Sequence, residues 1–145
     1  MSRQGWLVGL LALLLLSGCG GEGESPIAET DKAQVARTLA ETLQTLETQR
    51  QALYESLEGT VEPEALAAVR CNTPDSVEGL SRSVRREIIE YCENAEDLVR
   101  NANFTVSQFN ETLDRLDPGL ETWDEEFQEL FNNEWLRLQG QVRSQ

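Results

Sequence analysis

The sequence predicts an all-α fold: a small up-down bundle of three to four helices behind a flexible N-terminal tether. Three observations carry this expectation. Apolar residues recur at steps of three and four, the spacing of one helix face. No stretch alternates apolar and polar residues as a half-buried strand does, and no repeat of about 20–50 residues is present. The periodic runs are separated by helix stops: Gly59, Asn72-Thr73-Pro74 and Asp117-Pro118-Gly119.

The first helix is expected from about Asp31 to Leu57. Val35, Leu39, Leu43, Leu46, Leu53 and Leu57 form its stripe, with Arg50 interrupting it. Thr30 or Asp31 can cap its start and Gly59 can end it. At 1.5 Å per residue it is about 40 Å long. One stripe of this kind needs partners to be stable. Pro63 suits the first turn of a short helix, Glu64 to Arg70. A second long helix is expected from about Ser76 to Ala102, burying Leu80, Val84, Ile88, Tyr91, Ala95 and Leu98. A third begins near Thr105, where Thr105 and Gln108 have capping-box spacing, and carries Val106, Phe109, Leu113 and Leu116. Pro118 breaks or kinks the chain, since it cannot donate to the carbonyl one turn back. The last helix is expected from about Pro118 to Leu138, with Leu120, Trp123, Phe127, Leu130 and Phe131 inward. Residues 31–145 thus read as one bundle domain, long enough for one modest core.

Composition removes whole classes of function. The 145 residues carry a formal charge of −14 and contain no histidine and three cysteines. Catalysis through imidazole is excluded, as are His-ligated metals and haem. A strongly acidic chain is also a poor partner for nucleic acid, whose phosphates call for Lys and Arg. No cofactor or metal site is expected. No D-x-D-x-D-G calcium loop is present, and glutamates spaced along an acidic helix carry almost no signal for glycoside hydrolysis.

The N-terminus opens with Met1-Ser2-Arg3, followed by an apolar run from Leu7 to Leu16 and then Ser17-Gly18-Cys19. The run is too short for a spanning helix, which needs about 20 residues. Leu16-Ser17-Gly18-Cys19 resembles the lipobox of bacterial lipoprotein precursors: a branched apolar residue, two small residues, then cysteine. The resemblance covers residues 1–19 only and implies cleavage before Cys19. It also implies lipidation of Cys19 by a diacylglyceryl thioether, usually with an amide-linked acyl chain, and two or more chains anchor stably in a membrane. Gly20 follows Cys19, which in many two-membrane bacteria implies the outer membrane, facing the periplasm. Residues 1–18 are then a signal peptide, and residues 19–30 a lipidated cysteine and tether. The stretch GGEGESPIAET, glycine-rich and acidic, reaches at most about 35–40 Å.

In such an oxidising compartment the remaining Cys71 and Cys92 are expected to pair as a disulfide. Closing a loop of about 22 residues contributes about 3 kcal/mol by chain entropy. No C-x-x-C redox motif, no C-x-x-C-H haem attachment and no neighbouring histidine favour another role.

Charged and aromatic clusters supply the remaining candidates. Arg82, Arg85 and Arg86 are the basic cluster, on the helix face opposite Leu80, Val84 and Ile88. They suit a phosphate or carboxylate contact, or pairing with Glu78, Glu87, Glu90 and Glu93. Glu121, Asp124, Glu125, Glu126 and Glu129 form an acidic stretch, read as a solvated face or a docking face for a basic partner. On a wheel with Trp123 at the origin, Trp135 falls near about +120° and Leu136 near about −140°. These two suit a partner anchor or a second packing face. The leading expectation is a lipid-anchored, non-catalytic envelope protein whose bundle contacts another envelope protein. The alternative is a small-molecule-binding bundle, a periplasmic sensor or carrier, with a cavity near Tyr91, Phe109 and Trp123.

Overall fold

The computed structural model describes residues 31–143, with the side chains of 142 and 143 excluded. The lipobox, Cys19 and the tether lie outside the described residues. Within them the fold is a helical bundle with no strand. Its elements are α1 (Lys32–Leu57), α2 (Pro63–Ala67), a single 3-10 turn (Pro74–Val77), α3 (Arg82–Asn101), α4 (Val106–Asp114) and α5 (Glu125–Arg143).

Each start has a local cause. Asp31 caps α1 by accepting from the Gln34 backbone N–H at 3.0 Å. Ser81 caps α3 through the Val84 N–H. Thr105 and Gln108 form the expected capping box of α4, each side chain taking the other's backbone N–H. The ends are equally specific. Gly59, at φ +78°, follows the last turn of α1 in the left-handed conformation that glycine adopts without cost. Asn103 does the same after α3, at φ +68°. Its N–H donates to the Arg100 carbonyl, and that of Phe104 to Val99, the Schellman pattern that tucks Phe104 into the core.

Two elements depart from the expected bounds. The run from Ser76 is not one helix, because the 3-10 turn and the bend around Gly79 precede the cap at Ser81. Its buried face ends at Val99, while Leu98 is only half-buried. The final helix starts at Glu125 rather than Pro118. Residues 115–124 form a loop, closed by Asp124 N–H donating to the Arg115 carbonyl and by an Asp117 side-chain turn to Gly119. Leu120 and Trp123, expected inward, are 43% and 40% exposed because they belong to this loop.

α1 is the spine. α3 runs antiparallel to it, with Ser56 bonded to Glu87 near one end. α5 lies along α1 in the same direction. Lys32 meets Asp124 at 2.8 Å, Arg37 meets Glu134 at 3.7 Å, and Glu41 meets Arg137 at 3.8 Å. The short α4 and the 115–124 loop return the chain to the start of α1, which makes this parallel pairing possible.

The core has two lobes. The proximal lobe, near Asp31, joins Leu39, Leu43, Val99, Phe109, Phe127 and Phe131, among others. The distal lobe joins Leu53, Leu57, Leu66, Val69, Val84, Ile88 and Tyr91. Cys71 packs against both. Between them α1 turns polar: Glu47, 7% exposed, receives both Arg50 Nε (2.7 Å) and Gln51 Nε2 (3.0 Å). Arg50 also covers the Tyr54 ring at 4.8 Å. The arginine that interrupts the sequence stripe therefore neutralises a buried carboxylate.

Candidate functional site

A concavity lies on the outer face of α3, against the loop that leads into it. It is a groove of about 700 Å³. The Cys71–Cys92 pair, with Sγ atoms at the bonding distance of 2.12 Å, braces this loop to the middle of α3. Ser76 fixes it further, its hydroxyl bridging the Arg70 backbone N–H and carbonyl and the Thr73 carbonyl. Val77, Pro74 and the half-exposed Ile89 (49%) give the groove apolar surface.

Arg82, Arg85 and Arg86 enter the groove from the first turns of α3. Among the described residues none of the three forms an ion pair, although Glu78, Glu93 and Glu96 line the same groove. The expected pairing with Glu78, Glu87, Glu90 and Glu93 is thus not made. Glu87 instead receives Ser56, and Glu96 pairs with Arg100. Arg70, also at the groove, spends its guanidinium on the Ala67 and Val69 carbonyls. Along α3 the groove face is therefore basic in the first turns, apolar at Ile89 and acidic at Glu93 and Glu96.

The other candidates lie elsewhere. Trp135 is half-buried, stacked on Phe131 at 5.8 Å, and packs against the proximal lobe. Leu136 is 54% exposed on the outer side of α5. In the acidic stretch, Asp124 caps α5 through the Phe127 N–H and, with Glu126, holds Lys32. The hydrogen bond from Lys32 lowers the Asp124 pKa, and the same bond raises that of Lys32. Tyr91, Phe109 and Trp123 are not brought together: they lie in the distal lobe, in the proximal lobe and on an exposed loop. A second, smaller recess of about 400 Å³ at the end of α1 is rimmed by Glu55, Glu58 and Glu62.

Among the described residues four groups titrate away from their ordinary values, and the scaffold accounts for each. Lys32 and Asp124 hold each other's charged forms. Arg50 is raised, first by its hydrogen bond to Glu47. Burial pushes Tyr91 up to about 12. Among the described residues no group of three or more Asp, Glu or Cys is placed to hold a metal ion, and no helix is long and apolar enough to cross a membrane.

The sequence singled out the arginines of the groove and, as a pairing candidate for them, Glu93, but not Ile89 or Glu96. The signal was present: Arg82, Ile89 and Glu96 recur at steps of seven, two turns of one helix face.

No curated protein and no solved structure matches the chain. A family model described as a domain of unknown function, DUF4168, matches residues 32–120, from the start of α1 into the loop before α5. The chain therefore belongs to the DUF4168 family.

Proposed function

We propose that the protein is a lipid-anchored, non-catalytic interaction module of the bacterial envelope. In this reading Cys19 carries the lipid, residues 19–30 are the tether, and the bundle stands off the outer membrane in the periplasm. The groove on α3 is its contact surface. One observation carries the reading: among the described residues Arg82, Arg85 and Arg86 remain without ion pairs, in a chain of net charge −14. Intramolecular carboxylates are plentiful, yet these guanidinium groups face a groove in which a partner can supply the planar, bidentate acceptors they suit. Their position adds support. The groove lies along the distal half of the bundle, its centre about 30 Å along α1 from the start of that helix. It would therefore be held away from the anchoring membrane.

The test couples anchoring to contact. Intact mass after purification from membranes is expected to show processing before Cys19 and the added lipid, and Cys19→Ala is expected to release the chain from the membrane. Crosslinking in membranes is expected to give a defined product that is lost in Arg82→Glu/Arg85→Glu/Arg86→Glu while the melting temperature is kept. Specific turnover by the purified chain, or an unlipidated Cys19, overturns the reading. The groove volume also lies in the range of small-molecule sites, about 300–1,000 Å³. For a sensor or carrier, native mass spectra would show a co-purified molecule displaced by the same substitutions.

A further inference from the structure

The charges along the groove face of α3 are arranged about a centre. Arg82 and Glu96 each stand seven residues from Ile89, on opposite sides; Arg85 and Glu93 each stand four. All of these residues, with Arg86, line the one groove. Taking Ile89 as the origin of the helical wheel, Arg82 and Glu96 lie within about 20° of it, and Arg85 and Glu93 within about 40°. The stripe reads basic, apolar, acidic along the axis, with Glu78 at the rim of its basic end and Glu96 also paired to Arg100 within the chain. Such a stripe is complementary to itself when reversed.

From this arrangement, and resting on the interaction-module reading above, we infer that the partner on the α3 groove is a second copy of this chain. The two α3 helices dock antiparallel about a two-fold axis at Ile89, with Arg82, Arg85 and Arg86 of each copy facing Glu93 and Glu96 of the other.

The geometry is consistent with helix-pair dimensions. Reversal about Ile89 places Arg82 of one copy opposite Glu96 of the other and Arg85 opposite Glu93, about 6–10 Å along the axis from the centre, with Arg86 one residue nearer the centre and sharing Glu93. Arginine side chains span the offsets between facing helices, which pack about 8–10 Å apart. The apolar contact at the centre is Ile89 on Ile89, with Val77 and Pro74 of the braced loop at its edge. The arrangement is isologous: one patch serves both copies, and the contact closes at two. The parallel arrangement is opposed by charge, since it sets arginine against arginine and glutamate against glutamate.

The expected strength is modest. One helix face buries less than the standard interface of about 800 Å² per partner, and the net charge of −14 makes two copies repel at long range. Confinement by lipid anchors to one surface raises the effective concentration and compensates for a weak contact. The same ion pairs make it sensitive to salt.

A charge-swap pairing tests this. The full chain is purified in a mild detergent and read by native mass spectrometry over a concentration series, with melting curves confirming the fold of every form. Three preparations are compared: the wild type, the acidic-face variant Arg82→Glu/Arg85→Glu/Arg86→Glu, and the basic-face variant Glu93→Arg/Glu96→Arg. The wild type is expected to dimerise as concentration rises. Each variant alone is expected to be monomeric, and an equimolar mixture to give one-to-one heterodimers. Ile89→Ser is expected to weaken the wild-type dimer at least tenfold. A wild type that stays monomeric, a variant that still dimerises alone, or a mixture that fails to pair overturns the inference. The mass at Cys19 in the same spectra reports lipidation separately. A lipidated monomer leaves the anchored module standing without this dimer; an unlipidated dimer does the reverse.

Discussion

Tyr91 carries a buried ring into the distal lobe and a hydroxyl that finds no hydrogen-bond partner among the described residues. Burial raises its pKa from 10.0 to about 12. The phenol ionises more easily in the unfolded chain than in the folded one. Its contribution to stability is therefore complete below pH 10 and is lost as pH rises through about 12, by at most about 2–3 kcal/mol. Lys32, whose pKa is also raised, loses its contribution in the same alkaline direction. Tyr91→Phe is expected to leave the Lys32 part and remove the tyrosine part, so its melting temperature falls less between pH 10 and 12 than that of the wild type. At neutral pH the substitution is expected to be neutral or to stabilise by about 1 kcal/mol, since it removes an unsatisfied buried hydroxyl. Thermal melts of both forms at pH 7 and across the alkaline range check this. A drop of several kcal/mol at neutral pH would mean that the hydroxyl has a partner. Glu47 behaves differently, because its buried carboxylate is met by both Arg50 and Gln51.

The helix α5 shows why some positions were legible in the sequence and others were not. Phe127 and Phe131 were read as inward from spacing alone, and both are fully buried. Trp135 and Leu136 were placed with the wheel's origin at Trp123, a residue that precedes the helix. With the origin at Phe127, Trp135 falls at about 80°, on the flank of the core, and Leu136 at about 180°, directly outward. Spacing gives the core face only when the start of the helix is right, and that start is set by Asp124, a local cap that accepts the Phe127 N–H and lies six residues beyond the Pro118 start expected from the sequence. The same holds in α3: Val99 lies nearer the centre of the buried face than Leu98, and angle outweighs side-chain size. The caps at Asp31, Thr105 and Gly59 were legible because each is a local motif. The groove was not, because it needs the disulfide loop and α3 together. Trp135→Ala is expected to cost about 2 kcal/mol, from lost packing and stacking on Phe131. Leu136→Ala is expected to change stability by less than about 0.5 kcal/mol. Denaturant melts of the two variants check the contrast; equal losses would mean that α5 is rotated from the described position.

Across the bundle, the first and last helices are joined over almost the whole chain length. The Lys32–Asp124 and Lys32–Glu126 contacts tie them at their starts, and Phe127, Phe131 and Leu138 fill the lobe that the first half of α1 opens onto. The DUF4168 match ends at residue 120, before α5 begins. The physical folding unit is therefore longer than the family match. A chain ending at residue 120 leaves Leu39 and Leu43 without the two phenylalanines that cover them. It is expected to lose cooperative melting of the proximal lobe and to bind a hydrophobic dye. A sharp, two-state melt at the full-length temperature would show that α5 is dispensable.

The two lobes differ in how much chain must be present before each can form. Everything in the distal lobe comes from residues 53–91, and the cysteines that brace it are 21 residues apart. The proximal lobe draws on residues from Val35 to Leu138. A chain emerging N-terminus first can therefore assemble and oxidise its distal half while α5 is still to come. Meanwhile the apolar stripe of early α1 waits uncovered. Closure of the fold is then a late, long-range event, and until it happens the apolar face of early α1 is open to any other exposed apolar surface.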